Sequence, residues 1–301
     1  MSMLKDLVIY VLENSKFFDK AYLNWKRFNY PKCRKKLLKG NAAYKDRYLG
    51  ERCFVIGNGP SINKCDLSLL ESEYTFTVNQ FPRNEGFKNV KTNFHMWADE
   101  RFFDIDKSRI EDMELLEVMK SVNTNGNKPI VFYKMAAKQM IEEYQLDKDL
   151  DILYFDDMPI IGGSDKYRYI KFDEPVPRFS TVCHYLICLA VYMGFSEIYL
   201  LGCDCTGFLT LANTYDTNSA EYQYAYTMTE NEKKRLARSN TKCSIQRELR
   251  WYANIFDEYE KLNDYCKYNG VKLYNATEGG VLTSIERVNF MDLFKNVQGE
   301  D

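Results

Sequence analysis

The sequence predicts an α/β protein: a mostly parallel sheet with helices on both faces, a lid segment, and a helical stretch ahead of the sheet. Three observations predict it. Apolar runs of strand length alternate with stretches of helical periodicity from about residue 52 to residue 155, the order that builds a parallel sheet by crossovers. The run Cys53-Phe54-Val55-Ile56 is apolar without alternation, as in a buried strand, and stops abruptly at Gly57-Asn58-Gly59-Pro60-Ser61. Ser180 to Gly194 reads as a capped apolar helix that feeds a second buried strand ending at Gly202-Cys203-Asp204.

Ahead of the sheet, residues 3–15 and 17–39 carry apolar residues at helical spacing, Leu4/Leu7/Val8/Val11 and then Phe18/Tyr22/Trp25, predicting two helices in an appendage over residues 1–48. Residues 1–50 hold 12 Lys or Arg against 4 Asp or Glu, a balance of +8 that leaves about −10 for the rest of a chain of net charge −2. A basic arm that starts amphipathically suits docking on an anionic membrane surface. The alternative is a solvated helical pair covering the sheet.

The main domain is expected over residues 49–301, with a first strand at 52–57, a short helix at Asp66–Leu70 and a second strand at Tyr74–Val78 ending at Asn79. A loop at the carboxyl end of a parallel strand lies where open α/β sheets bind ligands, and glycine lets backbone approach a phosphate or ribose. A dinucleotide fold places Asp or Glu about 20 residues past the glycine loop. This chain has Asn79 there and Ile62 in place of the third glycine, which argues against NAD. No Gly-Lys-Ser/Thr follows, so a P-loop is excluded. Asn58 and Asn79 offer donors and acceptors without negative charge beside a phosphate.

A third strand at Asn93–Ala98 delivers Asp99-Glu100, and helix 109–122, strand 129–133, helix 134–145 and strand 151–155 continue the alternation. Asp104-x-Asp106 and Asp149-x-Asp151 share the spacing of a metal-binding pair, but two hits in so acidic a stretch point to chance. At the start of the long helix, free amides and the hydroxyls of Ser180 and Thr181 suit a phosphate; the bland reading is a capped core helix with nothing bound. His184 lies inside that apolar helix and reads as a core residue. Cys183, Cys188, Cys203 and Cys205 match no common zinc module. Asp204 is a carboxylate just past a buried strand, where sites form.

Residues 206–245 read as a lid, polar at first and rich in tyrosine with Tyr215, Tyr222, Tyr224 and Tyr226. A broken helical segment from Glu230 to Asn269 follows, and a last strand at Val271–Tyr274 leads to Asn275-Ala276-Thr277-Glu278-Gly279-Gly280. The chain of 301 residues is 45% apolar and 28% charged, ordinary for a globular protein. Its nine cysteines follow no secreted framework, so reduced thiols in a cytoplasm are expected. No apolar run approaches the roughly 20 residues of a membrane-spanning helix.

Gly57-Asn-Gly-Pro-Ser61, Val78-Asn-Gln-Phe81, the Ser180–Gly194 helix, Ile198-Tyr-Leu-Leu-Gly202-Cys-Asp204 and Asn275-Ala-Thr-Glu-Gly-Gly280 occur in order. With them, residues 50–290 resemble the bacterial sialyltransferases of glycosyltransferase family 42 and, through the Asn-Ala-Thr-x-Gly-Gly end, the motility-associated-factor glycosyltransferases. The resemblance implies a Rossmann-like domain with a lid, using a CMP-activated nonulosonic acid to glycosylate a glycan or lipid-linked acceptor, without metal or other cofactor. It implies nucleotide contacts at Asn58 and Asn79 and a hydroxyl region at Ser180 and Thr181, with Tyr215, Tyr222, Tyr224 or Tyr226 stabilising the departing phosphate, Tyr215 and Tyr226 foremost; Gly59, Pro60, Ser61, Gln80, Gly202, Cys203, Asn275 and Thr277, in the same segments, are the other expected substrate contacts. The chain departs from the family in one respect: no histidine follows His184, where those enzymes keep their general base. Asp99, Glu100, Asp204 or Glu278 is expected to replace it, with Asp99 and Asp204 as the leading candidates.

The expected setting is cytoplasmic, at the inner face of the cytoplasmic membrane, with no nucleic-acid partner. Two other readings stand beside this one. A pterin diphosphokinase would need ATP and magnesium, hence a carboxylate cluster of Asp99, Glu100 and Asp204. A nucleotide-sugar-binding subunit of a polysaccharide assembly complex would bind the donor without turning it over.

Overall fold

The computed structural model describes residues 24–123, 128–159, 170–213, 223–239 and 244–297. In chain order its strands are β1 Arg52–Ile56, β2 Tyr74–Val78, β3 Phe94–Trp97, β4 Ile130–Lys134, β5 Asp151–Phe155, β6 Asp157–Met158, β7 Val176–Pro177, β8 Glu197–Leu201, β9 Lys272–Asn275 and β10 Glu286–Arg287. Its helices are α1 Lys32–Leu38, α2 Ile110–Lys120, α3 Lys138–Tyr144, α4 Val182–Met193, α5 Glu230–Ser239 and α6 Ile245–Tyr268. Eight strands form one sheet in the order β10-β9-β8-β1-β2-β3-β4-β5, every neighbouring pair parallel. β6 and β7 make a separate parallel pair that sequence patterning did not signal.

The unbroken apolar character of β1 follows from its position, since a central parallel strand is covered on both faces. Cys53 and Val55 pack with Leu186 and Ala190 of α4 on one face. Phe54 and Ile56 pack with Leu67, Leu201 and Phe290 on the other. Further along that second face, Trp97, Val131 and Tyr133 meet Leu115 of α2 and Met140 and Ile141 of α3. Helix α4 is apolar on all sides because α6 covers the side that the sheet does not. It ends at Gly194, whose φ of +93° turns the chain, with Gly194 N–H bonded to Val191 O and Phe195 N–H to Ala190 O.

Of the predicted helix over 17–39, the described part is helical at 24–28 and again in α1, with a break at Pro31. Proline has no N–H to donate and disfavours helical geometry in the residue before it, so continuity was not possible there. The described part of the basic stretch is fastened to the domain. Asn41 is fully buried and donates to Tyr154 O and Phe172 O at 2.8 and 2.7 Å. The Asp46 and Tyr48 N–H groups satisfy Tyr192 O and Met193 O, carbonyls that the last turn of α4 leaves free, and Tyr48 stacks on Phe195 at 4.9 Å. Residues 1–23, with the expected first helix, lie outside the described residues. Among the described residues no helix is long and apolar enough to cross a membrane.

Candidate functional site

From β1 the chain steps outward through β2, β3 and β4 to β5, then returns to lay β8 on the other flank of β1. This reversal is a topological switch point, where the loops leaving two adjacent parallel strands part in opposite directions and leave a crevice. A cavity of about 600 Å³ opens there, against the carboxyl ends of β1, β2, β3, β4 and β8. Asn58, Gly59, Pro60, Asn79, Asp99, Ser180, Thr181, Gly202, Cys203 and Asp204 all line it. Five separate segments of sequence thus converge on one space.

The glycines of the first loop serve the protein before any ligand. A Cβ on Gly57 would lie 2.6 Å from Gly202 O, and one on Gly59 would lie 1.8 Å from Asp204 Oδ2. Gly202, at φ +60°, would in turn place a Cβ 2.8 Å from Gly57 O. The loops after β1 and β8 therefore clasp backbone to backbone, held by Gly57 N–H to Leu201 O at 2.8 Å and Gly59 N–H to Gly202 O at 2.9 Å.

That clasp buries Asp204, which is 7% exposed and accepts from Ser61 Oγ at 2.8 Å and Ser61 N–H at 3.3 Å. Burial pushes its carboxyl up from the ordinary range, and the two Ser61 donors only partly offset that. Ser61 faces Asp204 rather than the cavity. Asn275 and Thr277 also lie behind the wall. Thr277 Oγ1 accepts from Cys203 N–H at 3.1 Å, and Asn275 Oδ1 accepts from Thr277 N–H at 3.1 Å, so they brace the loop that carries Asp204.

The two asparagines present complementary groups. Asn58 Nδ2 donates to Val78 O at 3.4 Å, leaving its buried Oδ1 without a partner among the described residues. Asn79 Oδ1 accepts from Ala98 N–H at 3.3 Å, leaving Nδ2 as the end without a hydrogen bond among the described residues. Asn79 adopts a left-handed φ of +42°, as Cys205 does at +54°, and such backbone at the end of a strand is characteristic of sites. Thr181 is the N-cap of α4 but makes no capping bond, and its Oγ1 is buried without a partner among the described residues. Ser180 N–H donates to Glu258 Oε2 at 2.8 Å, and that carboxylate also lies 2.8 Å from Nδ1 of the fully buried His184. His184 is a core residue, with desolvation lowering its pKa.

The described part of the segment expected as a lid is held by hydrogen bonds and by charge. Ala225 N–H donates to Asn58 O at 2.8 Å, and Asn84 Nδ2 donates to Ala225 O. Glu232 of α5, fully buried, accepts from Gln80 Nε2 at 2.6 Å and from Arg235 at 2.7 and 2.8 Å. Gln80 therefore fastens α5 and does not line the cavity. Tyr224 lines the cavity, while Tyr226 stacks against Tyr224 at 5.3 Å and does not line it. Tyr215 and Tyr222 lie outside the described residues.

Sequence reasoning missed the far wall. Lys134, the last residue of β4, reaches Asp157 Oδ2 at 2.7 Å and Glu100 Oε1 at 2.6 Å. Asp157 also accepts from Arg178 Nε at 3.1 Å and Tyr185 OH at 2.5 Å. The only hint in the sequence was that a charged residue ends an apolar strand at the same edge as Asn79 and Asp99. The proposed metal carboxylates do not form a cluster: Asp99 is bound by Arg101 at 2.6 Å, Glu100 by Lys134 and Asp204 by Ser61. Among the described residues no group of three His, Cys, Asp or Glu side chains is arranged to hold a metal. Glu278 is exposed beside Lys64, and Asp151 opens β5 at the opposite end of the sheet.

No protein-family model matches the chain, and no curated protein matches it. Among solved structures it is similar to the MAf glycosyltransferase from Magnetospirillum magneticum AMB-1, at 14% identity and a TM-score of 0.47. The match covers 84% of this chain and 38% of that one, so this chain spans well under half the length of that protein.

Proposed function

We propose that this protein is an inverting, metal-independent glycosyltransferase whose donor is a CMP-activated nonulosonic acid. The observation that carries the reading is the switch-point cavity with unpartnered Asn58 Oδ1 and Thr181 Oγ1 on its walls. In this reading Asn58 and Asn79 take the nucleotide, one by an acceptor and one by a donor. In this reading the phosphate meets the first turn of α4 through the amides that follow Thr181 and the Thr181 hydroxyl, the Ser180 amide being taken by Glu258.

The acceptor's hydroxyl oxygen attacks the anomeric carbon opposite the phosphate, the bond from that carbon to the phosphate oxygen breaks, and CMP departs. The hydroxyl proton passes to a carboxylate. Asp204 is the better base, because burial raises its proton affinity while Arg101 holds Asp99 in an ion pair. Among the tyrosines of the 206–245 segment this reading gives Tyr224 the role of facing the departing phosphate, supported by its position in the cavity wall. The acceptor is a glycan or a lipid-linked glycan, and the basic stretch brings the enzyme to a membrane surface. Exposed Trp25 and Phe28, at 58% and 82%, with Lys26 Nζ 5.7 Å from the Trp25 ring centre and Lys35 Nζ donating to Phe28 O at 3.3 Å, support that last part.

A thermal-shift panel of CMP, CDP, UDP, GDP and ATP, each with magnesium or EDTA, tests the proposal. CMP is expected to stabilise the protein equally in EDTA, and Asn79→Ala to abolish the shift. Stabilisation only by another nucleotide with magnesium would overturn the donor, and a CMP shift unchanged in Asn79→Ala would overturn the site.

A further inference from the structure

The polar wall of the cavity opposite the asparagines has no task in the reaction as written above. Its centre is the Asp157 side chain, only 1% exposed, which holds Lys134, Arg178 and Tyr185 at once. The two cations are engaged unequally. Arg178 spends Nε on Asp157, its side chain is 56% exposed, and its two terminal nitrogens have no partner among the described residues. Lys134 is 9% exposed and has one buried partner in Asp157 and one replaceable partner in Glu100, whose side chain is 57% exposed. Removing both cations from water is stable only because Asp157 stays. What remains is a guanidinium edge and an ammonium facing the cavity, with a solvated carboxylate occupying the place of a ligand.

We infer that Arg178 and Lys134 form an oxyanion subsite that receives the carboxylate of the donor's glycosyl unit, displacing Glu100 from Lys134. This rests on the glycosyltransferase reading, whose nonulosonic acid donor already carries a carboxylate, and adds to it the side chains that receive that carboxylate. A planar guanidinium edge pairs with a carboxylate through two parallel N–H···O bonds, and the ammonium adds a third donor. Asp157 holds both cations in place and does not itself meet the ligand. Glu100 acts as a placeholder that keeps Lys134 neutralised while the cavity is empty.

Calorimetric titration of the whole chain with CMP and with CMP-N-acetylneuraminic acid tests the assignment. Arg178→Gln is expected to lose about tenfold in affinity for the sugar nucleotide, the worth of a charge-assisted pair, while binding CMP as the parent does. Glu100→Gln, which removes the competing carboxylate, is expected to bind the sugar nucleotide at least as tightly as the parent. Equal affinities of Arg178→Gln and parent for CMP-N-acetylneuraminic acid would overturn the subsite, as would equal losses for both ligands. If the parent binds neither CMP ligand, the donor reading fails separately, and UDP-glucuronic acid against UDP-glucose puts the same question. A preference for the acid that Arg178→Gln removes would uphold the subsite; no such preference, or no binding, would overturn it.

Discussion

Gly59→Ala probes the feature on which the site depends, the clasp between the loops after β1 and β8. The new methyl would lie 1.8 Å from Asp204 Oδ2 and 2.6 Å from Gly202 O, both inside contact distance. The carboxylate must swing away, losing its 2.8 Å bond from Ser61 Oγ, and the loops must part, losing Gly59 N–H to Gly202 O at 2.9 Å. A bond to a charged group contributes about 1.5–3 kcal/mol and a neutral one about 0.5–1.5 kcal/mol, so the combined loss is about 2–4.5 kcal/mol, of which about 2–4 kcal/mol is taken as the working range. For a domain of this size that lowers Tm by roughly 4–16 °C. Gly50→Ala is the control for a change without a clash: Gly59 has an ordinary φ of −71°, whereas Gly50 has a positive φ of +85° but nothing within 4 Å of the place its methyl would take, so its cost is backbone strain alone, about 1–2 kcal/mol. Differential scanning fluorimetry of both variants, with and without CMP, gives the answer. If Gly59→Ala melts no lower than Gly50→Ala, the clasp is looser than the geometry states and Asp204 is not held by it.

Three further outcomes are expected. Burial raises the Asp204 carboxyl, so the folded chain binds that proton more tightly than the unfolded chain; the group's stabilising contribution is full below the usual carboxylate range and fades as pH rises through its folded pKa. Asp204→Asn should flatten that decline in urea midpoints measured from about pH 4 to 8 and abolish transfer, and an unaltered profile would remove Asp204 as the titrating group. Glu232→Gln leaves Arg235, 1% exposed, without its counter-charge, which should cost about 3 kcal/mol and speed hydrogen exchange over 223–239, whereas unchanged exchange would show that the ion pair does not hold the lid. Replacing Trp25 and Phe28 together by Ser should abolish co-sedimentation with phosphatidylserine vesicles, and full retention would remove the aromatic face as the docking element.

The sheet was legible because its central strands β1 and β8 are buried and read as continuous apolar runs, and because β-branched and aromatic residues mark β2 and the edge strand β5. Tyr74–Val78 and Asp151–Phe155 were predicted with the bounds the structure has. Helix α4 was legible for the same reason, with Gly194 as its stop. The predicted helix at 134–145 is a 3₁₀ turn at Met135–Ala137 leading into α3, a distinction that periodicity does not resolve. β6 and β7, two residues each, carry no pattern long enough to detect.

Within the site, legibility followed position along a strand. Asn58, Asn79, Asp99 and Asp204 each follow the last apolar residue of a strand, and parallel strands deliver those positions to one edge; all four line the cavity. Ser61, Gln80, Asn275 and Thr277 share the same neighbourhoods in sequence, yet their side chains turn to Asp204, Glu232, Leu282 and Cys203. A motif fixes where the backbone goes, and the partner across the loop fixes which way each side chain faces. For three of the four that partner lies far along the chain: 143 residues separate Ser61 from Asp204, 152 separate Gln80 from Glu232 and 74 separate Thr277 from Cys203.

The same reasoning explains why the glycine loop misleads when read alone. Glycine was expected at Gly57 and Gly59 for a ligand's approach, but the atoms that would strike their Cβ positions belong to Gly202 and Asp204. The two loops form one structural unit, and each glycine exists because of the other loop. An asparagine on the first loop and a buried carboxylate on the second are thereby held at fixed separation across the switch point, before any ligand enters. Catalysis of group transfer needs that fixity, because a base that must be ordered at the moment of reaction raises the barrier by the entropy of ordering it. The clasp therefore links β1 and β8, which the sequence made legible, to the chemistry proposed for Asp204.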